Sequence, residues 1–190
     1  MIIKISMRII DALIKTKLFK VRNYDDFEDN VIFLTFFIIS NIFFFGLAYI
    51  FECIPQMIIV LIVLNVLRLY SGGYHSTTLD KCLCISIPLI LSTAIISKYI
   101  MCQVNILLFI SMVFGIYIIK KVPIISKENM NGKTKEWFVS KYINTLILFY
   151  FISFLCVNMN NYIGNLISSA ISMSILCVAL MMRYNKKSKL

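Results

Sequence analysis

Charge is scarce in this chain of 190 residues: 15% of positions are Asp, Glu, Lys or Arg, and histidine occurs once. Soluble domains carry about a quarter charged and about half apolar residues, whereas here 60% of residues are hydrophobic and 14% aromatic. A globule of this size has no interior large enough to hide so much apolar surface. The lack of charge excludes a water-soluble enzyme domain, and the same apolar excess excludes a disordered chain. The six cysteines sit among hydrophobic runs far too long for a small disulfide-stapled secreted module. No internal repeat or low-complexity tract is visible, and no small-xxx-small pattern stands out to say which helices pack together.

What is present is a set of long apolar runs, consistent with a mean hydropathy of +0.87. They fall at residues 31–51, 54–67, 83–97, 104–119, 142–157 and 163–182, each bounded by charged, Asn-rich or Pro-containing stretches. Six transmembrane helices are therefore expected, several of them shorter than the roughly 20 residues that cross a bilayer unaided. The net charge of +10 would suggest nucleic acid in a soluble protein. In a membrane protein it reads first as topology. With a cytoplasmic N-terminus, 18 of the 19 basic residues fall on the cytoplasmic side and only Lys98 lies outside. Six spans with both termini in the cytoplasm satisfy the positive-inside rule, and no nucleic-acid partner is needed. The first run begins too late and is too long for a signal peptide.

The chain thus divides into a cytoplasmic segment 1–30, a six-span helical bundle 31–182 and a basic tail 183–190. Within the first segment Ile2, Ile5, Ile9, Leu13 and Ile14 recur at helical spacing opposite Lys4, Arg8, Asp11 and Lys15. This pattern predicts an amphipathic helix lying on the inner leaflet. An acidic knot, Asp25, Asp26, Glu28 and Asp29, follows it at the membrane surface. The basic stretch between the fourth and fifth runs holds the single Trp, Trp137, which reads as an interfacial anchor.

One polar cluster interrupts the apolar pattern: Arg68-Leu-Tyr-Ser-Gly72-Gly73-Tyr-His75, then Asp80, Cys82 and Cys84. It contains the only histidine. A histidine and a cysteine are the minimum for thiol nucleophilic catalysis, because the imidazole takes the thiol proton and the thiolate attacks a carbonyl. On one continuous helix His75 and Cys82 would stand about 10 Å apart along the axis, too far for a hydrogen bond. His75 must therefore sit off the helix that carries Cys82. Gly72 and Gly73 allow the sharp turn this needs, and Ser76, Thr77 or Thr78 can cap the helix that follows. A thiol in the first turns of that helix meets the positive end of its dipole, to which Lys81 and Arg68 add; both effects favour thiolate.

This gives Cys82 as nucleophile, His75 as base and Arg68 as a stabiliser of oxyanion charge, a holder of a substrate carboxylate, or a plain topology residue. Cys84 competes with Cys82 on chemistry alone. Cys53, Cys102, Cys156 and Cys177 lie at span edges, in an outer loop or in apolar helices, and a Cys-x-Cys metal site with His75 lacks a clear fourth ligand. No cofactor or metal is expected. Two other readings remain. His75-x4-Asp80 matches the His-x4-Asp pattern of glycerolipid acyltransferases. A small transporter or scaffold would keep His75 as a structural residue, although the spans carry no ionisable pathway.

The stretch Arg68-x-Tyr70-x-Gly72-Gly73-Tyr74-His75, followed by Cys82 seven positions after the histidine, resembles the accessory gene regulator B (AgrB) family. These are multi-pass membrane endopeptidases of Gram-positive bacteria that process the quorum-sensing propeptide AgrD. Chain length, six spans and the Pro123 that follows Lys120, Lys121 and Val122 extend the resemblance over most of the chain, although the family often has Ala where Val122 stands. The resemblance implies that His75 and Cys82 are catalytic, with Arg68, Gly72 and Gly73 shaping the site. It also singles out Cys82 over Cys84. It further implies cleavage on the C-terminal side of the signal segment through an acyl-thioester, followed by thiolactone or lactone closure. The expected partners are an AgrD-like propeptide and the bilayer of the cell membrane, with homodimer formation left open.

Overall fold

The computed structural model describes residues 2–15, 24–71, 79–122, 134–159 and 161–187. Among the described residues every regular element is helical. They are α1 (Ile2–Lys15), α2 (Tyr24–Ile50), α3 (Ile54–Ser71), α4 (Leu79–Tyr99), α5 (Val104–Ile119), α6 (Lys135–Asn158) and α7 (Tyr162–Lys187), with a short 3-10 turn, Ile100–Gln103, before α5. Five segments are long and apolar enough to cross a membrane: Phe27–Ile50, Ile54–Ser71, Asp80–Tyr99, Lys135–Asn158 and Tyr162–Met182. The apolar helix α5 has 16 residues and is shorter than these.

The helices outrun the apolar runs from which they were expected. α3 continues through Arg68 to Ser71, α4 opens before Asp80, and α6 begins at Lys135. A backbone ladder does not stop at the first charged side chain, so a boundary drawn where hydropathy falls cuts each helix short. The acidic knot falls in the first two turns of α2.

α7 is the helix around which the others pack. Two thirds of its membrane window, 67%, is buried, against 28–39% for the other long helices. It touches α3, α4, α5 and α6. Ser168, Ser169, Ala170, Ser172 and Ser174 are fully buried on it, and their small side chains let neighbouring backbones come close. Gly164, Ser168 and Ser172 are spaced at i, i+4 and i+8. This is a small-xxx-small pattern built largely of serine. Ser169 and Ser174 donate to the Leu166 and Ala170 carbonyls of their own helix, which satisfies the hydroxyls without a partner helix.

Two turns fix the ends of the bundle. At the far end of α2, Cys53 N–H bonds the Ala48 carbonyl at 2.9 Å and Glu52 N–H bonds the Tyr49 carbonyl at 3.1 Å, a Schellman closure with Glu52 at φ 51°. Lys98, from the end of α4, donates to the Phe51 carbonyl at 3.3 Å and stands 3.8 Å from the Glu52 carboxylate. Lys98 thus caps a carbonyl at the C-terminal end of α2. Cys53 is buried beneath the turn, and burial pushes its thiol up, opposed by Lys98.

Between α6 and α7, Asn161 caps α7 by accepting the Gly164 N–H at 2.6 Å. The chain doubles back so tightly there that a Cβ on Gly164 would lie 2.1 Å from the Cys156 carbonyl oxygen. A second close approach brings α6 onto α5: Tyr150 Oη donates to the Ser111 carbonyl at 2.6 Å, over the bare backbone of Gly115. Since Gly164 faces backbone and Gly46 faces open space, Gly164→Ala should cost at least about 2 kcal/mol or prevent folding. Gly46→Ala should leave stability within about 0.5 kcal/mol. Thermal unfolding of the purified protein in detergent reads both.

Candidate functional site

α3 ends at Ser71 and α4 starts at Leu79. The connection between them carries Gly72, Gly73 and His75, which lie outside the described residues, as do the candidate caps Ser76, Thr77 and Thr78. What the structure does place are the two residues that flank this connection. Arg68 is in the last turn of α3 and Cys82 is the fourth residue of α4. Both line one cleft of about 400 Å³ between α2, α3 and α4. The expectation that His75 sits off the helix carrying Cys82 falls on residues outside the described ones.

The walls of the cleft follow helical spacing. On α3, Leu61, Asn65 and Arg68 share a face; on α4, Cys82, Ser86 and Ile90 do, with Leu83 beside them. The third wall belongs to α2: Phe33, Phe36, Phe37 and Phe44, with Ser40 and Asn41. Cys82 Sγ is 3.9 Å from Ser86 Oγ and half-buried. Ser40 Oγ and Asn41 Nδ2 both donate to the Phe37 carbonyl, at 3.0 and 2.7 Å. Arg68 is the only charged residue among the described ones that line the cleft, is half-buried, and makes no ion pair among them. A guanidinium in apolar surroundings costs several kcal/mol unless something accepts its protons.

Cys84 points elsewhere. Two positions along a helix turn a side chain by about 200°, and Cys84 is exposed on a separate groove of about 630 Å³ between α4 and α7, beside Pro88, Met173 and Cys177. The two thiols that chemistry alone left in competition are therefore divided by geometry, and Cys82 is the one that shares a cleft with Arg68. Among the described residues no three His, Cys, Asp or Glu side chains gather as a metal-binding group.

Trp137 does more than sit at an interface. Its ring meets Tyr70, two residues beyond Arg68, edge-on with centroids 6.1 Å apart, and packs against Phe138 at 5.0 Å. Lys141 lies over the indole at 5.9 Å, and Thr134 caps α6 by accepting the Trp137 N–H at 3.3 Å. The start of α6 is thereby held to the end of α3.

The family model of accessory gene regulator B (AgrB) matches residues 7–182. The chain belongs to the AgrB family. Membership implies a part in the processing of an accessory gene regulator quorum-sensing peptide and agrees with the multi-pass character of the helices. No curated protein and no solved structure matches the chain.

Within this AgrB chain, the phenylalanine wall of α2 and the carboxamides of Asn41 and Asn65 were not singled out from sequence. A signal was available: Phe33, Phe37, Asn41 and Phe44 fall on one stripe at i, i+4, i+8 and i+11, and a carboxamide is costly in an apolar run without a reason. The aromatic clamp yields a prediction. Trp137→Ala should lose about 1 kcal/mol of edge-to-face contact beyond the lost burial and speed amide exchange in the last turn of α3. Tyr70→Phe, which keeps the ring, should leave exchange there unchanged.

Proposed function

We propose that this AgrB family member is a membrane-embedded cysteine endopeptidase with Cys82 as nucleophile and His75 as general base. The observation that carries the reading is the shared cleft of Cys82 and Arg68, at the two helix ends that flank the segment bearing the only histidine. His75 takes the Cys82 proton, and the thiolate attacks the carbonyl that ends the signal segment of an AgrD-like propeptide. Arg68 stabilises the oxyanion. As the C–N bond breaks, His75 passes the proton to the departing amine, and the signal segment is left as a thioester on Cys82. A Cys or Ser inside that segment then attacks the thioester, giving its proton to the site and freeing Cys82 as the ring closes. A cleft walled by apolar helices keeps out the water that would otherwise hydrolyse the thioester.

α5 rises about 24 Å and serves as the sixth span, its end anchored by Lys120 and by Lys121, which folds back over the Tyr117 ring at 3.9 Å to the centroid. Six spans put both termini, the segment between α3 and α4 and the start of α6 on the cytoplasmic face, and the family resemblance implies the cell membrane of a Gram-positive bacterium. Ser6 and Ile10 of α1 are buried, while Ile3, Ile5, Ile9 and Ile14 remain exposed and Lys4, Arg8 and Asp11 face outward. This amphipathic helix lies on the inner leaflet, close to where an amphipathic propeptide would partition.

Co-expression with an AgrD-like propeptide and mass analysis of its fragments tests the reading. Cys82→Ala should reduce cleavage by at least about a thousandfold, and His75→Ala by about a hundredfold or more. Arg68→Ala should cost about a hundredfold, and Cys84→Ala should retain most activity. Full cleavage by Cys82→Ala would overturn the mechanism, and labelling of Cys82 from outside intact cells by impermeant thiol reagents would overturn the topology.

A further inference from the structure

We propose that the phenylalanine-lined cleft is the acyl-side specificity pocket of this chain, built to hold a large apolar or aromatic side chain on the residue whose carbonyl Cys82 attacks. The inference rests on the catalytic reading of Cys82 and adds the substrate chemistry that the site selects.

Register supplies the argument. α2 begins at the same end of the bundle as α4 and as the last turn of α3, so Phe33, Phe36 and Phe37 lie at the level of Cys82 and Arg68, and Phe44 lies deeper with Leu61 and Ile90. From Cys82 to Ile90 the cleft descends about 12 Å, and from Arg68 to Leu61 about 10 Å. That depth equals about three residues of extended chain. Phe33 and Phe37 are 69% and 51% exposed although they line the cleft, so their rings are available to an occupant. With Arg68 the only charge among the described lining residues, the cleft offers nothing to an acidic side chain below its mouth and would strand a basic one.

A peptide entering such a cleft must also satisfy its own backbone, because neither lipid nor phenylalanine can. Asn65 answers that need. Its exposed carboxamide sits one turn below Arg68 in the cleft wall and makes no hydrogen bond among the described residues, while Asn41 donates its amide N–H to the Phe37 carbonyl and keeps its oxygen. Asn65 therefore pairs with the peptide backbone of the acyl segment, and the rings of α2 read its side chains. α2, which carries the ring wall, touches α1, α3 and α4.

The test uses the full-length protein with Cys84→Ala, reconstituted in vesicles and treated with acetyl-leucyl-Xaa chloromethyl ketones in which Xaa is alanine, leucine, phenylalanine or lysine. Alkylation forms a bond from Cys82 sulfur to the probe's methylene and releases chloride, and mass mapping gives its rate. The leucine and phenylalanine probes should label Cys82 at least about tenfold faster than the alanine probe, and the lysine probe should be slowest. Phe33→Ala, at a site too exposed to threaten folding, and Phe37→Ala should each cut the advantage of the phenylalanine probe to within about threefold of alanine. Asn65→Leu should slow all four peptidyl probes. Iodoacetamide, which needs no pocket, should label Cys82 equally in every variant. Equal rates for the alanine and phenylalanine probes, or a preference that survives both Phe33→Ala and Phe37→Ala, would overturn the pocket. If Cys82→Ala still cleaves a propeptide, the catalytic reading falls separately, and the probe rates still decide whether the cleft selects apolar side chains.

Discussion

The burial of α7 is the constraint on which the rest of the structure depends. Lipid supplies no hydrophobic force between apolar helices, so they associate through close packing and interhelical hydrogen bonds. α7 meets that condition with a run of fully buried serines and alanine, and α3, α4, α5 and α6 all lie against it. Because α3 and α4 are laid side by side on this support, the end of one and the start of the other come together. That juxtaposition puts Arg68 and Cys82 in one cleft, with α2 added on the outer side as its third wall.

Polar side chains in this fold divide into those that are satisfied locally and those that are not. Thr35, Ser40, Asn41, Ser92, Thr93, Ser97, Ser111 and Thr145 all bond a carbonyl three or four residues back on their own helix. Such back-bonding is the inexpensive way to carry a hydroxyl or carboxamide through a membrane. Among the described residues Gln56, Tyr142, Ser153, Ser168 and Ser172 are buried with a side-chain polar atom left without a hydrogen bond, and Ser168 and Ser172 act through their small size at the α7 interfaces. Arg68 and Asn65 differ from both groups, since among the described residues Arg68 makes no ion pair, neither side chain makes a hydrogen bond, and both line the cleft that holds Cys82. An occupant of that cleft would find both groups free to bond it.

Much of this was legible in the sequence, because its signals are local. A helical membrane protein follows from hydropathy, α1 from a stripe of isoleucines, and the Arg68 to Cys82 region from the cost of polar residues between apolar runs. The separation of Cys82 from Cys84 was also within reach, since two positions on a helix face apart. What could not be read locally was which helices meet. The phenylalanines of α2 look like any lipid-facing stripe until α3 and α4 are placed beside them. The Tyr70 to Trp137 contact joins residues far apart in the chain. The spacing of Gly164, Ser168 and Ser172 was present in the letters, but serine reads as polar, and its role as a small residue appears only once it is packed.

The central claim is that Cys82, in the cleft shared with Arg68, carries the signal segment as a covalent thioester. Intact-mass analysis of the acid-quenched protein after exposure to an AgrD-like propeptide tests it most directly. The claim predicts an adduct equal to the signal segment, released by hydroxylamine and located on Cys82. An adduct on Cys84, or propeptide cleavage with no hydroxylamine-labile adduct formed at any time, would contradict it.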